Sequence, residues 1–257
     1  MSLAVPISPP HCTVPAPNPR LRLKLARHQD ELEAAQRLRY QVFTQEYGIR
    51  LAGSRSGLDA DAFDPYCEHL LVIDDARGAV VGTYRLLRPE QHRRLGCYYA
   101  EQEFDLTRIL ALPARLLELG RSCVHDDYRS GAVIALLWSG LANLLATWRI
   151  DALMGCASVP SEHGAALGAL YAKLAVKHLA ASEQQVTPRR RPPQFDPGAT
   201  TRPADLPPLL KGYLRAGAQI GGEPAWDPDF KCADFFLWLP SNRITARYQR
   251  HFLREVK

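Results

Sequence analysis

Residues 132–148 form a run of 17 positions without a charged side chain, set between two short runs of β-type residues at 116–124 and 152–158. A membrane span is one use for such a run, but crossing a bilayer takes about 20 residues. Ser139, Asn143 and Thr147 recur along it at four-residue spacing. That narrow polar stripe suits a helix buried against a sheet with one edge near polar groups. The expectation is a buried helix between two strands, over 132–148.

The same patterns extend in both directions. Leu21, Leu23 and Leu25 alternate with basic residues, the period of two of a half-buried strand. Leu32, Ala35, Leu38, Val42 and Phe43 recur at three- and four-residue intervals, which predicts a helix over 30–47. Residues 69–87 hold two β-type runs about a Gly-containing turn, the pattern of an antiparallel hairpin. A second helix is expected from about Ser161. The resulting order is βα, ββ, β, α, β, α.

Composition sets the limits. With 257 residues, 46% of them hydrophobic, the chain can bury one sizeable core, which excludes pervasive disorder and a disulfide-stapled miniprotein. Thirteen of 20 prolines fall within 1–19 and 188–208. These predict a disordered tail over 1–20 and a Pro/Arg-rich loop at about 187–208, within a single domain 21–257 that has a C-terminal extension over 205–257. The six cysteines stand 26 or more residues apart, so neither a metal site nor disulfides are expected. The opening lacks a signal-peptide pattern, and the expected location is the cytoplasm. A net charge of +5 suits an acidic carrier protein, an anionic membrane surface or nucleic acid without choosing among them.

The densest chemistry lies at Glu118-Leu-Gly-Arg121, which leads into the apolar helix. In a regular strand Glu118 and Arg121 point to opposite faces. A bulge at Gly120 would bring them together and leave a backbone N–H outside the ladder, available to a substrate carbonyl. A surface salt bridge beside a packing glycine is the plainer reading. Downstream, Arg129-Ser130-Gly131 opens a helix, where unpaired N–H groups, the helix dipole and a guanidinium favour a phosphate. Capping alone also explains such a start.

Together these features resemble the central motif of the GNAT acyltransferase superfamily. The resemblance implies an α/β (α+β) fold: a central mixed, mostly antiparallel twisted sheet with a splayed, bulged strand and helices on both faces. Four motifs between about Leu21 and Pro160 resemble acyl-homoserine-lactone synthases: Arg39-x-x-x-Phe43, Asp61-Ala-Phe63-Asp64, Arg85-Leu-Leu-Arg-Pro89 and Glu118-x-x-Arg121. From about Arg37 to Phe252 the chain is similar to the ornithine Nα-acyltransferase family. The similarity is carried by Val81-Gly-Thr-Tyr-Arg-Leu-Leu, Leu117-Glu-Leu-Gly-Arg-Ser-Cys-Val-His, Gly155-Cys-Ala-Ser, Pro208-Leu-Leu-Lys-Gly-Tyr-Leu-Arg, Asp227-Pro-Asp-Phe and Ala233-Asp-Phe-Phe-Leu-Trp-Leu-Pro.

This resemblance implies an enzyme of lipid biosynthesis that moves a 3-hydroxyacyl chain from acyl carrier protein to the α-amine of L-ornithine. No permanently bound cofactor and no protein nucleophile are needed. Glu118 is the implied base, with orienting Arg121 or binding the substrate ammonium as its alternative role, and Arg121 is its catalytic neighbour. Asp61 and Asp64 are candidates for binding amines, Arg39 and Arg85 for the acceptor carboxylate, and Phe43 for shaping the cleft. Val124, Arg129, Ser130 and Gly131 would hold the phosphopantetheine arm. A lactone-synthase-like activity and acylation of another amino acid remain alternatives. So does a non-catalytic basic module that docks on membranes through Arg189-Arg-Arg191; nucleic acid is not the expected partner. The same basic run could bring an enzyme to the inner face of an anionic membrane. The pair His69 and Asp74 points to opposite strand faces, and His125-Asp126-Asp127 reads as a turn capping the next helix. Cys123 and Cys156 read as small core residues.

Overall fold

The computed structural model describes residues 20–47, 57–160 and 163–244. The tail expected over 1–20 lies outside the described residues apart from Arg20, as do Ser161 and the end of the C-terminal extension. In chain order the elements are β1 (Leu21–Leu25), α1 (Gln29–Tyr47), β2 (Glu68–Asp74), β3 (Ala79–Leu87), α2 (Pro89–Leu95), β4 (Phe104–Asp105), α3 (Thr107–Leu110), β5 (Leu116–Val124), α4 (Ala132–Trp148), β6 (Ala152–Val159), α5 (Gly164–His178), β7 (Thr187–Pro188), α6 (Pro208–Ala216), β8 (Gln219–Ile220), β9 (Ala225–Asp227) and β10 (Cys232–Pro240).

The main sheet runs β1-β2-β3-β5-β6-β10-β8, with β9 also on β10; β4 and β7 form a small separate ladder. Every pairing in the main sheet is antiparallel except β5 with β6. The chain thus has the mixed, mostly antiparallel sheet expected of a GNAT-like fold. The apolar run forms α4, and Val133, Leu137, Leu141 and Leu145 are buried on the β1–β3 side of the sheet. A buried helix therefore accounts for the missing charges, and no helix among the described residues is long and apolar enough to cross a membrane. Helix α1 covers the other face through Leu38, Val42 and Phe43, which pack with Cys123 of β5. β10 pairs along the whole of β6, from Ala233↔Val159 to Pro240↔Ala152, so the C-terminal block supplies an interior strand.

Two departures from regular pairing shape the centre. On the β3 side, Thr83 pairs with Cys123 but Arg85 pairs with Gly120. Two residues of β5, Arg121 and Ser122, therefore stand opposite the single Tyr84, which is a β-bulge. The bulge is present one position later than expected: Arg121, at φ 50°, takes the left-handed conformation, not Gly120. On the other side, β5 pairs with β6 only as far as Leu119↔Gly155. Beyond that point the strands part, and residues 120–124 have no ladder partner from β6. Gly155 sits at the fork, where a Cβ would stand 2.2 Å from the Leu119 carbonyl oxygen.

The Pro/Arg-rich segment lies against the body of the protein. A Cβ at Gly164 or Gly168 of α5 would stand 1.9 Å from the Pro193 carbonyl oxygen or 1.8 Å from that of Asp196, so only glycine admits this approach. Arg189 donates from its main chain to the Glu103 carbonyl and from Nε to the Glu101 carbonyl, both at 2.7 Å. Arg191 pairs with Glu223 at 2.7 Å. Arg189 and Arg191 are thus tied to their neighbours, while all three arginines of the triplet remain exposed.

Candidate active site

The fork between β5 and β6 opens into a cavity of about 760 Å³, walled by Glu118 through Val124 of β5, Ile134 and Trp138 of α4, and Leu209 and Tyr213 of α6. The bulge has the consequence expected of it: Glu118 and Arg121 share one wall. They do not pair with each other among the described residues. Each instead meets Tyr99, in the short helical turn Tyr99–Gln102.

Glu118 is buried and accepts the main-chain N–H groups of Tyr99 and Ala100, one on each carboxylate oxygen and both at 2.7 Å. Burial raises its pKa more than those two amides and Arg85 lower it, leaving it at about 7. It is therefore poised between acid and carboxylate near neutral pH, the range useful to a general base. Arg121 donates to the Tyr99 hydroxyl at 3.4 Å, and its guanidinium lies 5.0 Å from the Tyr99 ring centre and 5.3 Å from that of Phe230. Burial would lower its pKa, but Tyr99, Asp59 and Asp61 outweigh burial and keep it firmly protonated.

Behind this wall three arginines meet three aspartates. Arg39 is fully buried and pairs with Asp59 at 2.8 Å and Asp64 at 2.7 Å. Arg85 pairs with Asp61 at 2.6 Å and Asp64 at 3.2 Å, and Arg121 pairs with Asp59 at 3.2 Å and Asp61 at 3.3 Å. Burial would raise the pKa of Asp64, and Arg39 and Arg85 reverse this and hold it far below the usual carboxylate range. Asp61 is lowered in the same way by Arg85 and Arg121.

This network shows where the residues expected to bind substrate lie. Of the residues expected to bind substrate, Phe43 and Arg85 reach the cavity, whereas Arg39, Asp61 and Asp64 stand behind it. Asp61 and Asp64 are neutralised by arginine and do not offer an unmatched negative charge to an amine. Arg39 pairs with Asp59 and Asp64 and, unlike Arg85 and Arg121, does not line the cavity. Val124, Arg129 and Gly131 line the cavity at the start of α4, with Ser130 exposed beside them. Arg129 pairs with Asp126 at 2.7 Å and donates to the Val124 carbonyl at 3.2 Å. His125 accepts the Asp127 N–H at 3.2 Å and so caps the turn Asp126–Tyr128; α4 itself is capped by Gly131. Cys156 is a half-buried wall residue, and burial pushes its thiol pKa well up, which suits no nucleophilic role.

Sequence reasoning missed Tyr99, Asp59, Phe230, Asp227 and Asp234. Asp59 sits two residues before a motif already singled out, and Asp227, Phe230 and Asp234 lie inside C-terminal hallmarks to which no role had been given. Tyr99 carried no periodic or motif signal.

Comparison with known proteins agrees with this architecture. Residues 38–139 match the family model described as an acetyltransferase (GNAT) domain. The fold is similar to that of the AHL synthase LasI (14% identical, TM-score 0.54, covering 91% of this chain and 95% of that one). It is also similar to FeeM, an N-acyl amino acid synthase from uncultured soil microbes (11% identical, TM-score 0.53, covering 88% and 95%). In sequence, the L-ornithine N(alpha)-acyltransferase of Rhizobium meliloti (strain 1021) is 38% identical over 250 residues, spanning 90% of this chain and 84% of the relative. That of Rhodobacter capsulatus is 37% identical over 252 residues, spanning 91% and 95%. On likeness of this extent the chain is an acyltransferase that belongs to the L-ornithine Nα-acyltransferase family.

Proposed function

We propose that the protein moves a 3-hydroxyacyl chain from the phosphopantetheine thioester of acyl carrier protein to the α-amine of L-ornithine, releasing a lyso-ornithine lipid. The observation that carries this reading is the bulge at Arg121 and Ser122, set where β5 parts from β6 and on the same cavity wall as Glu118. The name of the relatives supports ornithine as the acceptor.

The α-amine attacks the thioester carbon, the C–S bond breaks, and the carrier's sulfur leaves as a thiolate that takes up a proton from water. The backbone N–H left out of the ladder at the bulge is the donor for the negative charge growing on the carbonyl oxygen. Glu118, through one water, takes the proton that the amine gives up. Arg85 and Arg121 receive the acceptor carboxylate as charged forks. Arg39, with Asp59, Asp61 and Asp64, holds those forks in position. The first turn of α4, opened by Gly131 and free of acidic residues, suits the single phosphodiester of the carrier arm. The apolar stretch between α4 and α6, with Ile134, Trp138 and Leu209, suits the acyl chain. Contact with an anionic membrane surface would follow from a lipid product and a net charge of +5.

Purified protein with 3-hydroxyacyl carrier protein and L-ornithine should release carrier thiol, and mass spectrometry should find the acyl group on the α-nitrogen. S-adenosylmethionine in place of ornithine should give no lactone. Absence of both thiol and acylated amine would refute the reading.

A further inference from the structure

One part of the cavity wall is acidic. Asp227 of β9 and Asp234 of β10 line it and are only 9% and 4% exposed. The ladder between β9 and β10 holds them together: Cys232 pairs with Asp227 and Asp234 with Ala225. The Asp227, Cys232 and Asp234 ligand atoms lie within 4.8 Å of one another. Glu103, just after the turn that Glu118 grips, feels the charges of both aspartates, and one of its carboxylate oxygens is buried without a hydrogen-bond partner.

The contrast with the other three acids is the informative point. Asp59, Asp61 and Asp64 are matched by Arg39, Arg85 and Arg121. Among the described residues no lysine or arginine forms an ion pair with Glu103, Asp227 or Asp234. Arg121, whose charge Asp234 feels, is engaged with Asp59 and Asp61. Burial, then the hydrogen-bonded neighbour Asp234, raises the pKa of Glu103 well above its ordinary value, and burial raises that of Asp234. Glu103 and Asp234, buried without an ion-paired cation, hold protons more tightly because the charged form is costly there. A bound cation would remove that cost.

We infer that Asp234 and Asp227, with Glu103 beside them, seat the side-chain ammonium of a diamino-acid acceptor and so determine which amino acid is acylated. This rests on the function proposed above and deepens it. The relatives' printed acceptor, ornithine, carries a second amine. Cys156, on the cavity wall, feels the charges of Glu103, Asp234 and Glu118, so the acidic seat and the proposed base act on one stretch of wall. An acceptor held at one end by carboxylates and at its carboxyl group by Arg85 and Arg121 has its α-amine fixed between them.

L-norvaline, which is ornithine without the side-chain amine, tests this directly. With 3-hydroxyacyl carrier protein as donor, the wild-type kcat/KM for ornithine should exceed that for norvaline by about 100-fold or more, the scale of an unpaired buried charge. Asp234→Asn should lower kcat/KM for ornithine by about 30-fold or more, chiefly through KM, and leave norvaline within about threefold. Glu103→Gln should shift the ratio the same way by a smaller factor, and it decides the matter if Asp234→Asn fails to fold. Equal wild-type use of the two acceptors would overturn the inference, as would an unchanged ratio in variants that melt like wild type. So would a stoichiometric metal ion in the purified protein that is lost in Cys232→Ser. No turnover of any acceptor by wild type would instead count against the proposed function.

Discussion

Tyr99 gives its main-chain N–H to Glu118 at 2.7 Å, and its hydroxyl accepts from Arg121 at 3.4 Å. The two side chains that the bulge brings to one wall are thus indexed to a single residue of the neighbouring turn. Glu118 fixes that turn, and the Tyr99 ring then lies beside Arg85 at 5.3 Å and Arg121 at 5.0 Å.

The ring, more than the hydroxyl, should therefore matter at Tyr99. Tyr99→Phe keeps the ring and the amide and should cost no more than about 1 kcal/mol of stability, with kcat/KM within a few-fold. Tyr99→Ala removes two cation–π contacts of about 0.5–2 kcal/mol each and should lower kcat/KM by about 10- to 100-fold. Steady-state kinetics beside urea melts would separate these outcomes; equal losses in both variants would contradict the account.

Arg39 is expected to act on stability first and on catalysis only through its neighbours. Arg39→Met leaves Asp59 and Asp64 buried with one cation fewer, a loss of about 3–5 kcal/mol. Equilibrium urea unfolding checks this, and a change below about 1 kcal/mol would show that the network is not held as described.

Gly155→Val tests the fork. A Cβ there meets the Leu119 carbonyl oxygen at 2.2 Å, so the strands must shift where the cavity begins. A loss of about 1–3 kcal/mol is expected, with a fall in acyl transfer larger than any change in overall fold measured by circular dichroism. Unaltered activity would mean that the fork geometry is not functional.

The central elements were legible in the sequence because their signals are local. Alternating Leu21, Leu23 and Leu25 gave β1, and the charge-free run gave α4 at the bounds the structure shows. The bulge was legible in kind but misplaced by one residue. Glycine is the usual carrier of a left-handed conformation, yet here Arg121 takes it, held by Asp59, Asp61 and two aromatic rings. What could not be read was partnership across the chain. Asp61 and Asp64 look like exposed loop acids until Arg39, Arg85 and Arg121 close on them, and Asp234 gains meaning only when β10 is laid beside β6.

Glu103 should make stability fall as pH rises. Burial and the neighbouring Asp234 raise its pKa well above its ordinary value on folding. Above the ordinary carboxylate pKa the folded chain keeps a proton that the unfolded chain has lost, so this contribution is full below that value and declines as pH rises toward the folded-state pKa. Glu103→Gln, which cannot ionise, should match wild type in Tm near pH 4 and exceed it at pH 8. Thermal melts across that range check the sign, and a variant less stable than wild type at pH 8 would contradict it.

The most direct test of the catalytic wall is the pH dependence of a single turnover of acyl transfer, wild type against Glu118→Gln. With Glu118 as the base and its pKa near 7, the wild-type rate should climb tenfold per pH unit below about 7 and level off above it. Glu118→Gln should be slower by about 100-fold or more at pH 8 and lose that inflection. A variant that keeps both the rate and the inflection would show that Glu118 only holds the Tyr99–Gln102 turn, and that the proton leaves by another route.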